Sequence, residues 1–154
     1  MLDLRFPTAL QMVLSLAVAD ETDARCTSAE LAAGLGANPV LVRQLLAPLV
    51  RGGLLTATSG RKGGVRLARR PEHITLDDIY RAVVDDKRLF TTRPDVPCRC
   101  VVSKHIGAFF NDIIDQAEHA VQSVLAERTV AQSLAKIRTL DAQGKRAVDF
   151  SCGR

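Results

Sequence analysis

Two thiols set two residues apart, Cys98 and Cys100, enclose Arg99 and stand just ahead of Lys104. A thiol becomes a useful nucleophile when it ionises, and nearby cations or a helix N-terminus lower its pKa and populate the thiolate. Cys100 meets both conditions, because a long segment of helical periodicity opens at Ser103. Cys98 is then placed to resolve an oxidised Cys100 in a strained two-residue ring, or to pair with another subunit. Cys26, with only Arg25 beside it, and Cys152, with only Arg154 near, have weaker claims. Cys100 and His105 form the one nucleophile and base pair worth naming, and five residues across a helix start is poor spacing for catalysis. With no phosphate loop and no paired carboxylates beside a histidine on one helix face, the expected class is not an enzyme.

A second chemistry is the binding of a polyanion. Residues 31–71 contain no Asp or Glu but carry Arg43, Arg51, Arg61, Lys62, Arg66, Arg69 and Arg70. From Glu72 onward 12 basic side chains balance 12 acidic ones, so the formal charge of +4 belongs to the first half. A one-sided basic segment suits nucleic acid.

These residues need a scaffold, and the composition favours a helical one. The 154 residues are 47% hydrophobic and include no Trp, one Tyr and five Phe, so the core must be aliphatic; richness in Ala and Leu argues for helices over strands. Residues 9–19 have a superficial likeness to a signal-peptide core, but Gln11 and Ser15 interrupt the run and Asp3 cancels Arg5. A cytoplasmic protein with no membrane span and reduced cysteines is expected.

Along the chain, Leu10, Val13, Leu14, Ala17 and Val18 recur at helical spacing over residues 7–20. Ser28 precedes a short helix as its hydroxyl cap, with the end near Gly34 to Gly36. Asn38 and Pro39 supply an N-cap and first-turn proline for a third helix, with Val42, Leu45, Leu46 and Leu49 inward and Val40, Arg43 and Gln44 outward. After Gly52 and Gly53, a strand at 54–58 and a return at 65–67 enclose the tip Ser59-Gly60-Arg61-Lys62-Gly63-Gly64. Thr75 caps a helix to about Val84, and residues 85–100 show no periodicity. From Ser103 to about Glu127, a heptad seam of Ile106, Phe110, Ile113, Ala117, Ala120 and Val124 runs beside a second row of Phe109, Ile114, Val121 and Leu125. One row can pack on the parent domain while the other meets a second chain. Thr129 caps a final helix to about Leu140.

Two short helices with a tight turn, followed by a basic glycine-rich hairpin, make a winged helix-turn-helix. Such a motif lays its second helix in the major groove, where side chains reach base edges and helix N-termini meet phosphates. The expected DNA contacts are therefore Ser28, Asn38, Pro39, Val40, Arg43 and Gln44, with Ser59, Gly60, Arg61, Lys62 and Gly63 on the wing. Arg43 suits guanine and Gln44 adenine.

The run Ser28-Ala29-Glu30-Leu31-Ala32, the strand Leu54-Leu55-Thr56, the wing Gly60-Arg61-Lys62-Gly63-Gly64-Val65-Arg66-Leu67-Ala68 and the stretch from Pro71 through Ile74-Thr75-Leu76-Asp77-Asp78-Ile79 resemble the Rrf2 family of bacterial winged-helix regulators. Val65 and Arg66 replace the aromatic usual after the glycine pair. Ser59 stands where many members carry an arginine, with Arg61 the nearest substitute. The resemblance implies a dimerisation helix at Ser103 and, in cluster-bearing members, three cysteines in the loop before it. This chain has two there, so an iron–sulfur cluster would need a further ligand from His105, Cys26 or Asp3. Direct thiol sensing, a cluster, and cysteines without a regulatory role remain three separate readings.

The expected fold is mainly α with a small β wing. Residues 1–84 form the DNA-binding domain, 85–102 a sensor loop, 103–140 the dimerisation and final helices, and 141–154 a tail. The expected function is a homodimeric, sequence-specific regulator, a repressor, acting on double-stranded DNA with redox or cofactor sensing in the loop. A winged-helix adaptor that binds protein instead of DNA is the rival reading.

Overall fold

A computed structural model describes residues 3–60, 63–84 and 88–144. Helix α1 (Arg5–Glu21) buries Ala9, Met12, Val13, Leu16 and Ala17. The buried stripe is rotated by one residue from the expected one. Leu10 and Leu14 pack at its edge, and Val18 is exposed, because the apolar face of α1 is wider than one stripe.

Helix α2 (Ser28–Leu35) is capped by Thr27, not Ser28. The Thr27 hydroxyl accepts the Glu30 N–H at 3.2 Å, and Glu30 Oε2 accepts the Thr27 N–H at 2.8 Å. That reciprocal bonding requires the hydroxyl to sit three residues before the acid, which leaves Ser28 as the first helical residue. Gly36 ends α2 at φ +58°, in the left-handed region that favours glycine. Helix α3 (Pro39–Arg51) begins as read, with Asn38 Oδ1 accepting the Val40 N–H at 2.8 Å. It buries Val42, Leu45 and Leu49, with Leu46 half-buried.

Strands β1 (Leu55–Thr58) and β2 (Gly64–Leu67) pair antiparallel, Leu55 opposite Leu67 and Thr58 opposite Gly64. The Val65 N–H donates to the Cys26 carbonyl at 2.8 Å, joining the wing to the segment before α2. Helix α4 (Leu76–Val84) follows a second reciprocal cap between Thr75 and Asp78. Residues 88–100 contain no helix or strand.

Helix α5 (Val101–Ala126) starts two residues ahead of Ser103, because Cys100 is its N-cap and Ser103 completes the cap from the third helical position. Helix α6 (Val130–Gly144) runs four residues beyond Leu140. Val130 and Leu134 of α6 enter the same core as α1, α3 and α4, so the chain returns to the first domain after the long helix. Two backbone bonds hold the α5–α6 turn there: Leu76 N–H to the Arg128 carbonyl at 2.9 Å, and Val130 N–H to the Ile74 carbonyl at 2.8 Å. Ile114 is the fully buried residue of α5, with Leu125 against the core and Val121 half-buried. Phe109, expected in that packed row, is 63% exposed. The fold is mainly α with a small β wing. Among the described residues no helix is long and apolar enough to cross a membrane.

Candidate nucleic-acid interface

The amphipathic pattern of α3 sends Val40, Arg43 and Gln44 outward, opposite the buried Val42, Leu45 and Leu49. Asn38 and Pro39 are exposed at its start. Asn38 Oδ1 is occupied by capping, which leaves the side-chain NH2 group to face outward chemistry. Arg43 Nε donates to the Pro39 carbonyl at 3.2 Å, so the guanidinium lies back along the first turn. Ser28 is half-buried in the first turn of α2.

The wing depends on its glycines. Ser59 and Gly60 are exposed, Gly60 has φ +98°, and the Gly63 N–H closes the turn on the Gly60 carbonyl at 2.9 Å. A Cβ at Gly63 would lie 2.2 Å from the Thr58 carbonyl oxygen and 2.8 Å from the Ser59 carbonyl carbon. Both obstacles are backbone, so no rotamer relieves them. Gly63→Ala is therefore expected to destabilise the protein by about 1–3 kcal/mol, read as a thermal midpoint several degrees lower. An unchanged midpoint would contradict this wing geometry. Arg61 and Lys62 lie outside the described residues.

Among the described cations of the acid-free stretch, Arg66 and Arg69 hold the fold. Arg66 Nη2 meets Asp23 Oδ1 at 2.5 Å and the Asp23 carbonyl at 3.3 Å, fastening β2 to the loop after α1. The hydrogen bond and charge of Arg66 hold the Asp23 carboxyl below its ordinary pKa. Arg69 donates from Nε to the Gly53 carbonyl at 2.9 Å and from Nη2 to the Gly52 carbonyl at 3.0 Å, satisfying the end of α3. Sequence reading missed these roles. The Thr27 and Glu30 spacing was a usable signal for the α2 cap, whereas nothing local marks Arg66 as the partner of Asp23.

At the loop, Cys100 Sγ accepts the Ser103 N–H at 3.5 Å, and Ser103 Oγ accepts the Cys100 N–H at 2.9 Å. The Ser103 hydroxyl, then the backbone N–H groups of Ser103 and Val102, hold the Cys100 thiol below its ordinary pKa. The direction is the expected one. The groups responsible are the cap bonds, in place of Arg99 and Lys104. Cys98 is exposed, whereas Cys26 is half-buried and its pKa is raised, by burial first and by Glu30 second. A cavity of about 680 Å³ lies between residues 91–96 and the first turns of α5, bordered by Arg93, Cys100, Lys104, Ile106 and Phe110. The loop is staked to α5 by Arg88, which meets Asp115 and lies 3.6 Å from Glu118, and by the Leu89 N–H on Glu118 at 2.9 Å.

The cluster reading finds no assembled donor set among the described residues of the single chain. Among the described residues, no three His, Cys, Asp or Glu side chains gather where they could hold a metal ion. Cys26 is tied to the wing through Val65, and Asp3 is paired with Arg5 at 2.6 Å, while Cys98 lies in the loop before α5, Cys100 at its N-cap and His105 in its first turns. These residues do not fit an iron–sulfur cluster held by one chain. Cys152 lies outside the described residues.

A family model described as Rrf2, iron-dependent transcriptional regulator, matches residues 2–136. The chain belongs to the Rrf2 family. YwnA of Bacillus subtilis, named as an HTH-type regulator of transcription, is 30% identical over 131 residues, covering 84% of this chain and 94% of the relative. A solved transcriptional regulator from Lactobacillus plantarum is 25% identical with a TM-score of 0.74, covering 93% of this chain and 98% of its own. IscR of T. potens shares the fold at 21% identity and a TM-score of 0.63, with 97% and 93% covered. This Rrf2 chain is thus a DNA-binding regulator of transcription, and its relatives are regulators and not enzymes.

Proposed function

We propose that the protein is a cytoplasmic, homodimeric, sequence-specific repressor that lays α3 in the major groove of duplex DNA and takes its signal at Cys100. The observation that carries this reading is the division of α3, whose inner face is sealed in the core while Val40, Arg43 and Gln44 stand clear, followed by a wing drawn from a stretch of sequence without Asp or Glu. Asn38 and Pro39 approach with the same helix end, and Ser28 offers the backbone of the α2 N-terminus to a phosphate. Ser59, Gly60, Arg61, Lys62 and Gly63 bring the wing to phosphates or the minor groove.

The second subunit is argued from α5. Ile106, Ile113 and Val124 are 38%, 42% and 51% exposed along the heptad seam, while Ile114 packs inward. An apolar row at this spacing fits another copy of the same helix, and two half-sites one helical turn apart need two linked modules.

Replacing Arg61 and Lys62 together with Ala tests the wing. Binding to every duplex should weaken, and the slope of log affinity against log salt should fall by up to about two. An unchanged slope would take the wing out of the interface. A chain that shows no salt-dependent duplex binding would favour the protein-binding adaptor.

A further inference from the structure

Val40 is 52% exposed in the first turn of α3, and its N–H is already spent on Asn38 Oδ1. Its outward chemistry is therefore two methyl groups. On the floor of the major groove the apolar partner is the C5-methyl of thymine, since the other base edges present hydrogen-bond donors and acceptors.

Arg43 follows three residues later on the same exposed side. Its Nε is engaged by the Pro39 carbonyl at 3.2 Å, which fixes the guanidinium and leaves the two terminal nitrogens without a partner among the described residues. A fixed pair of donors matches the adjacent acceptors O6 and N7 of guanine. Three residues of helix advance about 4.5 Å along the axis, close to the ~3.4 Å step between base pairs. Side chains three residues apart on a helix lying along the groove are spaced for neighbouring base pairs.

We propose that Val40 and Arg43 act as one reading unit for a thymine and a guanine in adjacent base pairs, Val40 on the thymine methyl and Arg43 on guanine O6 and N7. This rests on α3 being the recognition helix. It adds which bases are read, by which atoms, and that they are neighbours.

The test uses the full-length protein and duplexes selected from a random library by binding. Selected sequences should share a thymine next to a guanine. Replacing that thymine with deoxyuridine removes one methyl group and leaves every hydrogen-bonding atom in place. Fluorescence anisotropy should show wild-type affinity falling roughly fourfold on the uracil duplex, while Val40→Ala, which keeps only its Cβ methyl, should fall by less. Arg43→Ala should lose roughly 5- to 150-fold preference at the neighbouring guanine. Equal uracil effects on wild type and Val40→Ala would overturn the thymine assignment, and so would selected sites without the adjacent pair. A protein that binds all duplexes equally would overturn the recognition-helix reading, and this assignment with it.

Discussion

Ile113→Asp is expected to convert the protein to a monomer that no longer binds its operator, while its helical content stays that of wild type. Ile113 is 42% exposed in the single chain, so a carboxylate there remains hydrated and the fold has no reason to fail. In a dimer joined along the heptad seam the same carboxylate would be enclosed by apolar side chains of the facing helix, where an unpaired charge costs several kcal/mol. Sedimentation should therefore report one chain per particle. Operator affinity should fall by at least two orders of magnitude, because each half-site must then be bound without the other. Circular dichroism guards against the trivial explanation of unfolding. A wild-type chain that is already monomeric at high concentration would end the dimer reading.

The second large effect is expected at Cys100. Peroxide attack by the thiolate breaks the O–O bond and gives a sulfenic acid with loss of hydroxide, and Cys98 or a partner thiol then displaces the sulfenic oxygen as water to form a disulfide. Either product removes the sulfur that caps α5 and borders the loop. Operator affinity should change by roughly 5- to 150-fold. Cys100→Ser should abolish the response and keep reduced-state binding, because serine is a strong N-cap and can accept the same Ser103 N–H. The lowered pKa also gives a sign in pH. The thiolate of Cys100 persists to lower pH than an ordinary thiol, so at any given pH below the ordinary thiol range iodoacetamide should label it faster than a free thiol. Cys26, pushed the other way by burial, should need higher pH. If Cys100→Ser responds to peroxide as wild type does, the loop carries no signal.

How far the sequence foretold these features follows from the range of the interactions involved. Asn38-Pro39, the Gly52-Gly53 stop and the Thr75-Asp78 cap are local chemistry, and each stood where the residues placed it. The start of α5 was misplaced by two residues because cysteine is a poor advertisement for an N-cap. Its role became visible only with Ser103 bonding back to it. Long-range uses of ordinary residues were not legible. Arg66 and Arg69 counted only toward the charge of a basic stretch, yet one ties the wing to Asp23 and the other closes the end of α3. The return of α6 to the first core was equally hidden, since its apolar spacing is the same for any partner. For the site, the outward side chains of α3 followed from periodicity, whereas the failure of Cys26 and Asp3 to join Cys98 and Cys100 needed three dimensions.

The two backbone bonds that fasten the α5–α6 turn to residues 74–76 have a mechanical meaning. They bolt one end of a 26-residue helix to the start of α4, and α4 in turn packs against α3. In a dimer joined along α5, the gap between the two recognition helices is then set by stiff parts bolted together. Such a dimer would work as a caliper, admitting only half-sites of one separation and phase. Lengthening an operator by about five base pairs swings its second half-site to the far side of the duplex, out of reach of such jaws whatever bases it carries.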